Sequence, residues 1–302
     1  MSATADGVYG IVPADLVELP LCAEQFSPLI PGAPALEGVA GQSLASMTML
    51  APPGTLERRY VLALSLRVLG PGGTLVALAP RNRGGTRLRA EFEEFGVEAA
   101  ETARSHHRLC EGTRPAQPTG LAQAIAAGGP QWVEATGLWS QPGVFSWDRI
   151  DAGSRLLAEH LPAFDGHGAD LGCGTGFLAR RVLESQSVAS LTLIDIDRRA
   201  VAAARRNIAD PRAVFHWSDA TAPLATGLDF VVTNPPFHEG GDENRALGQA
   251  VARAAAQSLR KGGELWLVAN GHLAYAPALN ENFAAVSVVA RDDQFCVYRA
   301  VK

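Results

Sequence analysis

In the second half of the chain, short unbroken apolar runs alternate with longer stretches whose apolar residues recur at helical spacing. Residues 190–194, 230–233 and 264–268 are runs of the first kind and predict strands buried on both faces. Residues 198–208 and 243–259 carry Ala and Leu at helical spacing with charges opposite, and predict amphipathic helices. Strand and helix taken in turn predict a parallel α/β sheet. One strand is weakly written: Gly166-His167-Gly168-Ala169 has poor strand propensity, and its placement rests on the glycine loop that follows it.

The same pattern occurs twice. Leu69-Gly70-Pro71-Gly72-Gly73-Thr74-Leu75-Val76-Ala77-Leu78-Ala79 matches Leu259-Arg260-Lys261-Gly262-Gly263-Glu264-Leu265-Trp266-Leu267-Val268-Ala269, each a helix end, a glycine turn and a buried strand. Upstream, Met47-Thr48-Met49-Leu50-Ala51-Pro52-Pro53 parallels Phe230-Val231-Val232-Thr233-Asn234-Pro235-Pro236. The halves are read as a duplication whose first copy has Ala51 for Asn234 and lacks a Gly-x-Gly-x-Gly loop, so it is not expected to bind a cofactor or to react. Between the copies, residues 111–129 are rich in Pro, Gly, Ala and Gln and read as linker.

Composition narrows the class. The 302 residues are 47% hydrophobic, enough for two domains with a core each. No basic-then-apolar leader opens the chain and no run approaches a membrane span of roughly 18 apolar residues, so the expected location is cytoplasmic. Cys22, Cys110, Cys173 and Cys296 lie far apart with no zinc spacing, so neither a metal nor a disulfide framework is expected. His106 and His107 beside Cys110 read as a solvated loop, and Cys173, inside a glycine loop without a His partner, as a small filler. A net charge of −5 argues against indiscriminate coating of nucleic acid without excluding RNA as substrate. The arginines at 58–59, at 81, 83, 87 and 89, and at 104 and 108 are either solvated surface or a basic face.

The candidate chemistry is an ordered series. Asp170-Leu171-Gly172-Cys173-Gly174-Thr175-Gly176-Phe177 has the composition of a strand-to-helix turn on which a ligand lies against bare backbone. The dinucleotide fingerprint needs a glycine where Phe177 stands, whereas glycines at 172, 174 and 176 after an acidic residue suit a methyltransferase loop. Asp195 closes the next strand, 19 residues beyond Gly176 (195 minus 176), close to the spacing expected of a carboxylate that meets ribose hydroxyls; Asp197 reads instead as the N-cap of the following helix. Asp219, after residues 214–217, is placed to meet an adenine amino group, and taken alone is a turn residue. Asn234-Pro235-Pro236-Phe237 is the most specific element. Two prolines stiffen the turn, so that the Asn234 side chain and the Pro235 carbonyl stand as paired acceptors for a planar amine, on which Phe237 can stack.

Through these residues, the segment from about Gln141 to Lys302 resembles the class I methyltransferases that modify guanine N2 in ribosomal RNA, of the RsmC and RlmG type, or "methyltransferase small" domain. The match includes Pro142-Gly143-Val144-Phe145-Ser146, Asp151-Ala152-Gly153-Ser154 and Asn234-Pro235-Pro236-Phe237-His238. The resemblance implies two Rossmann-like domains in tandem. Residues 1–125 form a degenerate one, for RNA recognition or for structure alone. Residues 126–302 form the catalytic one, a mostly parallel seven-stranded sheet with helices on both faces. It also implies that Phe145 and Ser146 help cover S-adenosyl-L-methionine, that Gly172, Gly174 and Asp195 hold its methionine and ribose portions, that Asp219 holds adenine, and that Asn234 and Phe237 hold the target guanine. Asp170 and Gly176 complete the expected cofactor site. The chain departs from the family pattern at Trp147, in its glycine-rich first strand and in its acidic net charge.

The expected reaction is direct methyl transfer, without a metal or a covalent enzyme intermediate, onto ribosomal RNA or a ribosomal subunit, 16S RNA favoured, with S-adenosyl-L-homocysteine as product. The enzyme is expected to be a monomer, since the internal duplication can replace a homodimer. Transfer to adenine N6 or to a protein glutamine keeps the cofactor and changes the acceptor. A silent RNA-binding or assembly protein is the alternative of another class, and a nicotinamide-dependent oxidoreductase is disfavoured by Phe177.

Overall fold

A computed structural model describes residues 5–222, 226–235, 242–271 and 275–302. Its internal contacts divide the chain into two compact units, the first running to Pro130 and taking in Gln141–Gly143, the second comprising Gln131–Ser140 and Val144–Lys302.

In the first unit the chain forms β1 (Ala5–Tyr9), β2 (Glu24–Phe26), β3 (Leu44–Leu50), α1 (Thr55–Val68), β4 (Leu69–Pro80), α2 (Leu88–Glu94), β5 (Ala99–Arg104), β6 (His107–Thr113) and α3 (Leu121–Gly128). The strands make one six-stranded sheet in the order β2-β1-β3-β4-β6-β5, with β6 antiparallel to both neighbours. Tyr60, Leu62, Leu64 and Leu66 of α1 are buried with Met47, Met49 and Leu75 of the sheet. The linker expectation is corrected. Most of the stretch read as linker is ordered structure: residues 111–113 end β6, and α3 packs on α1 so closely that a Cβ on Gly128 would overlap Tyr60. The Ala and Gly that suggested a linker are what allow that approach, and Ala is also the strongest helix former. The solvated loop read at His106 is an exposed, tight hairpin turn between β5 and β6, with Ser105 and His106 both at positive φ, and Cys110 is fully buried in β6.

The second unit contains the short hairpin β7 (Gln131–Val133) and β8 (Leu138–Ser140), then α4 (Ala152–His160), β9 (Gly166–Leu171), α5 (Phe177–Leu183), β10 (Val188–Asp195), α6 (Arg198–Asn207), β11 (Ala213–Trp217), β12 (Leu228–Thr233), α7 (Asp242–Ser258), β13 (Leu259–Asn270), α8 (Ala276–Asn280), β14 (Ala285–Arg291) and β15 (Phe295–Val301). Its seven-stranded sheet runs β11-β10-β9-β12-β13-β15-β14, parallel except for β15. One face is covered by α4 and α5 through Leu157, Leu178 and Val182, the other by α7 and α8 through Val251, Ala255 and Leu279. The weak strand β9 forms because its glycines are needed for packing. A Cβ on Gly168 would overlap the Phe230 ring, which stacks on Phe164 at 4.2 Å, and one on Gly166 would overlap the Asp229 carboxylate that accepts from the His167 amide.

The two sheets share one plan. Removing β11 from the second leaves the strand order and directions of the first. Even an irregularity is repeated: Leu44 pairs with Leu69 and Ser46 with Thr74, as Leu228 pairs with Leu259 and Phe230 with Glu264. Gly72 and Gly262, at the same φ of 78°, make the turn inside β4 and β13. The first strands also end alike, since the amide of Gly10 donates to Phe26 and that of Gly172 to Ile194. The first sheet, however, has no α-helix between β1 and β3 to match α5 or α6, only a 3-10 turn at Leu36–Gly38.

Candidate functional site

Asn234 and the glycine loop line one open cleft together with Phe145, Ser146, Asp151, Ser154 and Phe177. Gly172, Gly174 and Gly176 all have positive φ, at 71°, 54° and 85°, which L-residues with a side chain rarely adopt. Nothing lies within 4 Å of the position a Gly174 Cβ would take, so the bare backbone there borders open space rather than a packed neighbour. Gly176 is different: a Cβ would press on Ile208 at 2.7 Å, so this glycine serves the packing of the loop on α6 and is not among the residues lining the cleft.

The loop is held from below. The Asp195 carboxylate accepts from the amides of Gly174 and Asp197, each at 2.8 Å. Burial pushes its carboxyl up to about 6 against the pull of those amides. Asp197 caps α6 by accepting from the Arg199 amide at 2.9 Å, the division of labour expected from the position of the two residues at the strand end. Asn207, at the other end of α6, donates to the Thr175 carbonyl at 2.9 Å and exchanges bonds with the backbone of Trp139 in the β7–β8 hairpin.

Asp170 lies fully buried at the end of β9, and neither carboxyl oxygen has a hydrogen-bond partner. Burial, reinforced by the Asp195 carboxylate, pushes its carboxyl up to about 8; the Ala179 amide, short of hydrogen-bonding geometry, offsets this only in part. An unpaired carboxyl in such a place destabilises the fold and marks a site for a ligand. Burial, with Asp195 and Asp170 behind it, holds the Cys173 thiol well above its ordinary value, so the thiol is protonated and unreactive.

Asn234 follows β12, and its side-chain nitrogen donates to Asp151 Oδ2 and to Ser154 Oγ, both at 2.8 Å. Pro235 is buried behind it. Ser146 has a φ of 48°, unusual for a residue with a side chain, and Phe145 beside it is exposed at the cleft. Of the residues singled out in the sequence, the cleft thus brings together Phe145, Ser146, Gly172, Gly174 and Asn234, while Asp170 and Asp195 stand behind the loop. Asp219 does not line the cleft; its Oδ1 accepts from the amide and hydroxyl of Thr221 at 2.8 Å each, closing its own turn. Phe237 and Pro236 lie outside the described residues. Asp151 and Ser154 are site residues that the sequence motifs leave without a role; their only sequence signal is an Asp three residues ahead of a Ser at a helix start.

The cleft fits S-adenosylmethionine through a backbone cradle open to solvent where a Cβ would stand at Gly174, with the unpaired carboxyl of Asp170 buried at the end of β9 just ahead of that loop. Among the described residues no group of three or more His, Cys, Asp or Glu is arranged to hold a metal ion.

Residues 135–299 match the family model of the methyltransferase small domain. A ribosomal RNA small subunit methyltransferase C of Pseudomonas paraeruginosa is 32% identical over 96% of this chain and 92% of its own length. The protein of that name from Vibrio vulnificus is 31% identical over 83% of this chain and 75% of its own. Among solved structures, the 16S rRNA N2 G1207 methyltransferase (RsmC) of T. thermophilus, in complex with AdoMet and guanosine, superposes with a TM-score of 0.80 over 99% of this chain and 88% of that one, at 22% identity, and so shares the fold.

Proposed function

The chain belongs to the methyltransferase small domain family, and from that premise we propose that it is an S-adenosylmethionine-dependent methyltransferase acting on the exocyclic N2 of a guanine in small-subunit (16S) ribosomal RNA. The observation that carries this reading is that Asn234 lines the same cleft as Gly172 and Gly174, so an amine held by the first lies beside a ligand held by the others.

S-adenosylmethionine supplies an electrophilic methyl group on a sulfonium centre. The chain's part is to bind and to align. Gly172 and Gly174 offer close backbone approach, Asp195 holds the loop and presents its remaining lone pairs, and Phe145 and Ser146 border the mouth. Asp170 is the expected counter-charge for a cationic ligand. An exocyclic base amine is a poor nucleophile because its lone pair is delocalised into the ring. Asn234 Oδ1 and the Pro235 carbonyl accept its two protons and so favour the pyramidal geometry in which that lone pair is available. Alignment of two bound reactants is worth roughly 7–11 kcal/mol of barrier, and one oriented polar group about 3 kcal/mol.

In this reading the first unit holds RNA around the target or supports the second, and the enzyme acts as a cytoplasmic monomer. No described helix is long and apolar enough to cross a membrane. Asp219 Oδ1 is taken up by Thr221, which leaves Oδ2 to meet adenine. The decisive experiment is mass-spectrometric mapping of methylated guanines in ribosomal RNA from cells with and without the protein. Loss of one N2-methylguanine from the small subunit is expected, and an unchanged map would refute the proposal.

A further inference from the structure

Asn234 can do its work only if its amide oxygen, and not its nitrogen, faces the amine. The two ends of a primary amide have nearly the same shape, so something outside the residue must choose between them. The start of α4 makes that choice. Asp151 is the N-cap of α4, and its Oδ2 accepts from the Ser154 amide at 2.8 Å and from Asn234 Nδ2 at 2.8 Å. The second hydrogen of Nδ2 goes to Ser154 Oγ, also at 2.8 Å. Both amide protons are therefore spent on one helix terminus. The hydroxyl of Ser154 would accept either orientation, since it can donate or accept. The carboxylate of Asp151 cannot, because ionised it only accepts. Turning the amide over would set Oδ1 against Oδ2 at hydrogen-bonding distance, two acceptors with no proton between them.

The helix terminus is itself brought into place by Gly153, where a Cβ would stand 2.9 Å from the Phe295 ring. The first turn of α4 lies flat on that ring, and its cap consequently reaches a residue 83 positions away in sequence.

We propose that Asp151 and Ser154 are positioning residues for methyl transfer: the N-cap of α4 locks the Asn234 amide with its oxygen toward the substrate amine. The proposal rests on the reading of Asn234 given above. Its consequence is that the cap has two separable duties, one to the helix and one to the amide.

The test separates them with two substitutions that both leave a good N-cap. Asp151→Asn keeps an oxygen of the same reach for the Ser154 amide and for Asn234 Nδ2. Asp151→Ser still caps the helix but is one bond shorter and does not reach Nδ2. The full-length protein is assayed with labelled S-adenosylmethionine and small ribosomal subunits from cells lacking it, and cofactor affinity is measured by calorimetry. Asp151→Ser should lower kcat about tenfold or more with the dissociation constant for S-adenosylmethionine and the melting temperature little changed, and Asp151→Asn should retain most of the activity. Combined with Asn234→Ala, Asp151→Ser should cause no further loss, because nothing remains to be oriented. A purely structural cap predicts the reverse: the same loss in both backgrounds, accompanied by a lower melting temperature. Full activity in Asp151→Ser, or an undiminished loss on top of Asn234→Ala, overturns the positioning role. If Asn234→Ala itself turns over normally, the reading of the site fails and the positioning role with it, whereas a crippled Asn234→Ala beside an active Asp151→Ser removes the positioning role alone.

Discussion

The two sheets follow the same plan but treat the turn after β3 and after β12 in opposite ways. After β3 comes Ala51-Pro52-Pro53, and α1 sends Arg58 back onto it. One arm of the guanidinium donates to the carbonyls of Pro52 at 3.2 Å and Pro53 at 2.8 Å, and the rest grips Glu91 in a buried two-point ion pair at 2.6 and 2.7 Å. After β12 comes Asn234-Pro235, whose amide lines an open cleft. The first strands show the same contrast. Register places Val8 in the apolar interior of the first sheet where Asp170 stands, unpaired, in the second. A stiff Pro-Pro turn is thus a set of acceptors awaiting a planar nitrogen group. The first unit supplies that group from its own chain and is stabilised by it; in the proposed function a ligand supplies it to the second.

The contrast can be broken from either side. The largest effect is expected on the first: Arg58→Ala strands the buried Glu91 and two carbonyls, and should destabilise that unit by about 3–5 kcal/mol in denaturant unfolding while cofactor affinity in the intact protein is unchanged. Next comes Asn234→Ala in the second turn. Turnover should fall about a hundredfold, roughly 3 kcal/mol, with binding of S-adenosylmethionine retained; equal loss of both would end the assigned role.

A third test concerns acid and base. Asp170 and Asp195 are held at about 8 and about 6, above the ordinary carboxylate range, so the folded protein keeps protons that the unfolded chain has released. Without ligand, stability should therefore fall as pH rises from about 4, the Asp195 part of the decline ending near 6 and the Asp170 part near 8. Asp170→Val, the residue of the first sheet, should flatten the slope and stabilise the ligand-free protein at pH 8 by about 2 kcal/mol, at the cost of cofactor affinity. A cationic ligand favours the ionised carboxyl, so cofactor affinity of the unaltered protein should rise between pH 6 and 8, which calorimetry across that range would check. The smallest effect tests what the sheets share: Gly72→Ala and Gly262→Ala, both at a φ of 78°, should each cost about 1 kcal/mol, equal within error.

The periodic elements were open to reading because periodicity, caps and glycine turns act over a few residues. The helix expected over residues 198–208 is α6 over Arg198–Asn207, and the assignment of Asp197 as its cap holds to the bond. The linker reading failed at α3 because small residues mark both flexible chain and close helix packing, and only the presence of α1 decides between them.

Local rules were also enough to set the glycine loop, the carboxylate at the next strand end and the rigid turn in order along the chain, since each is a short motif whose chemistry is written in adjacent residues. That Asp219 turns its carboxylate onto Thr221, that Asp170 has no partner, that Arg58 fills one Pro-Pro turn, and that Asp151 holds Asn234 from 83 positions away belong to the folded molecule alone. Those relations depend on which strand ends and helix termini a closed sheet brings within 3 Å of each other, and no property of the separate segments contains that distance.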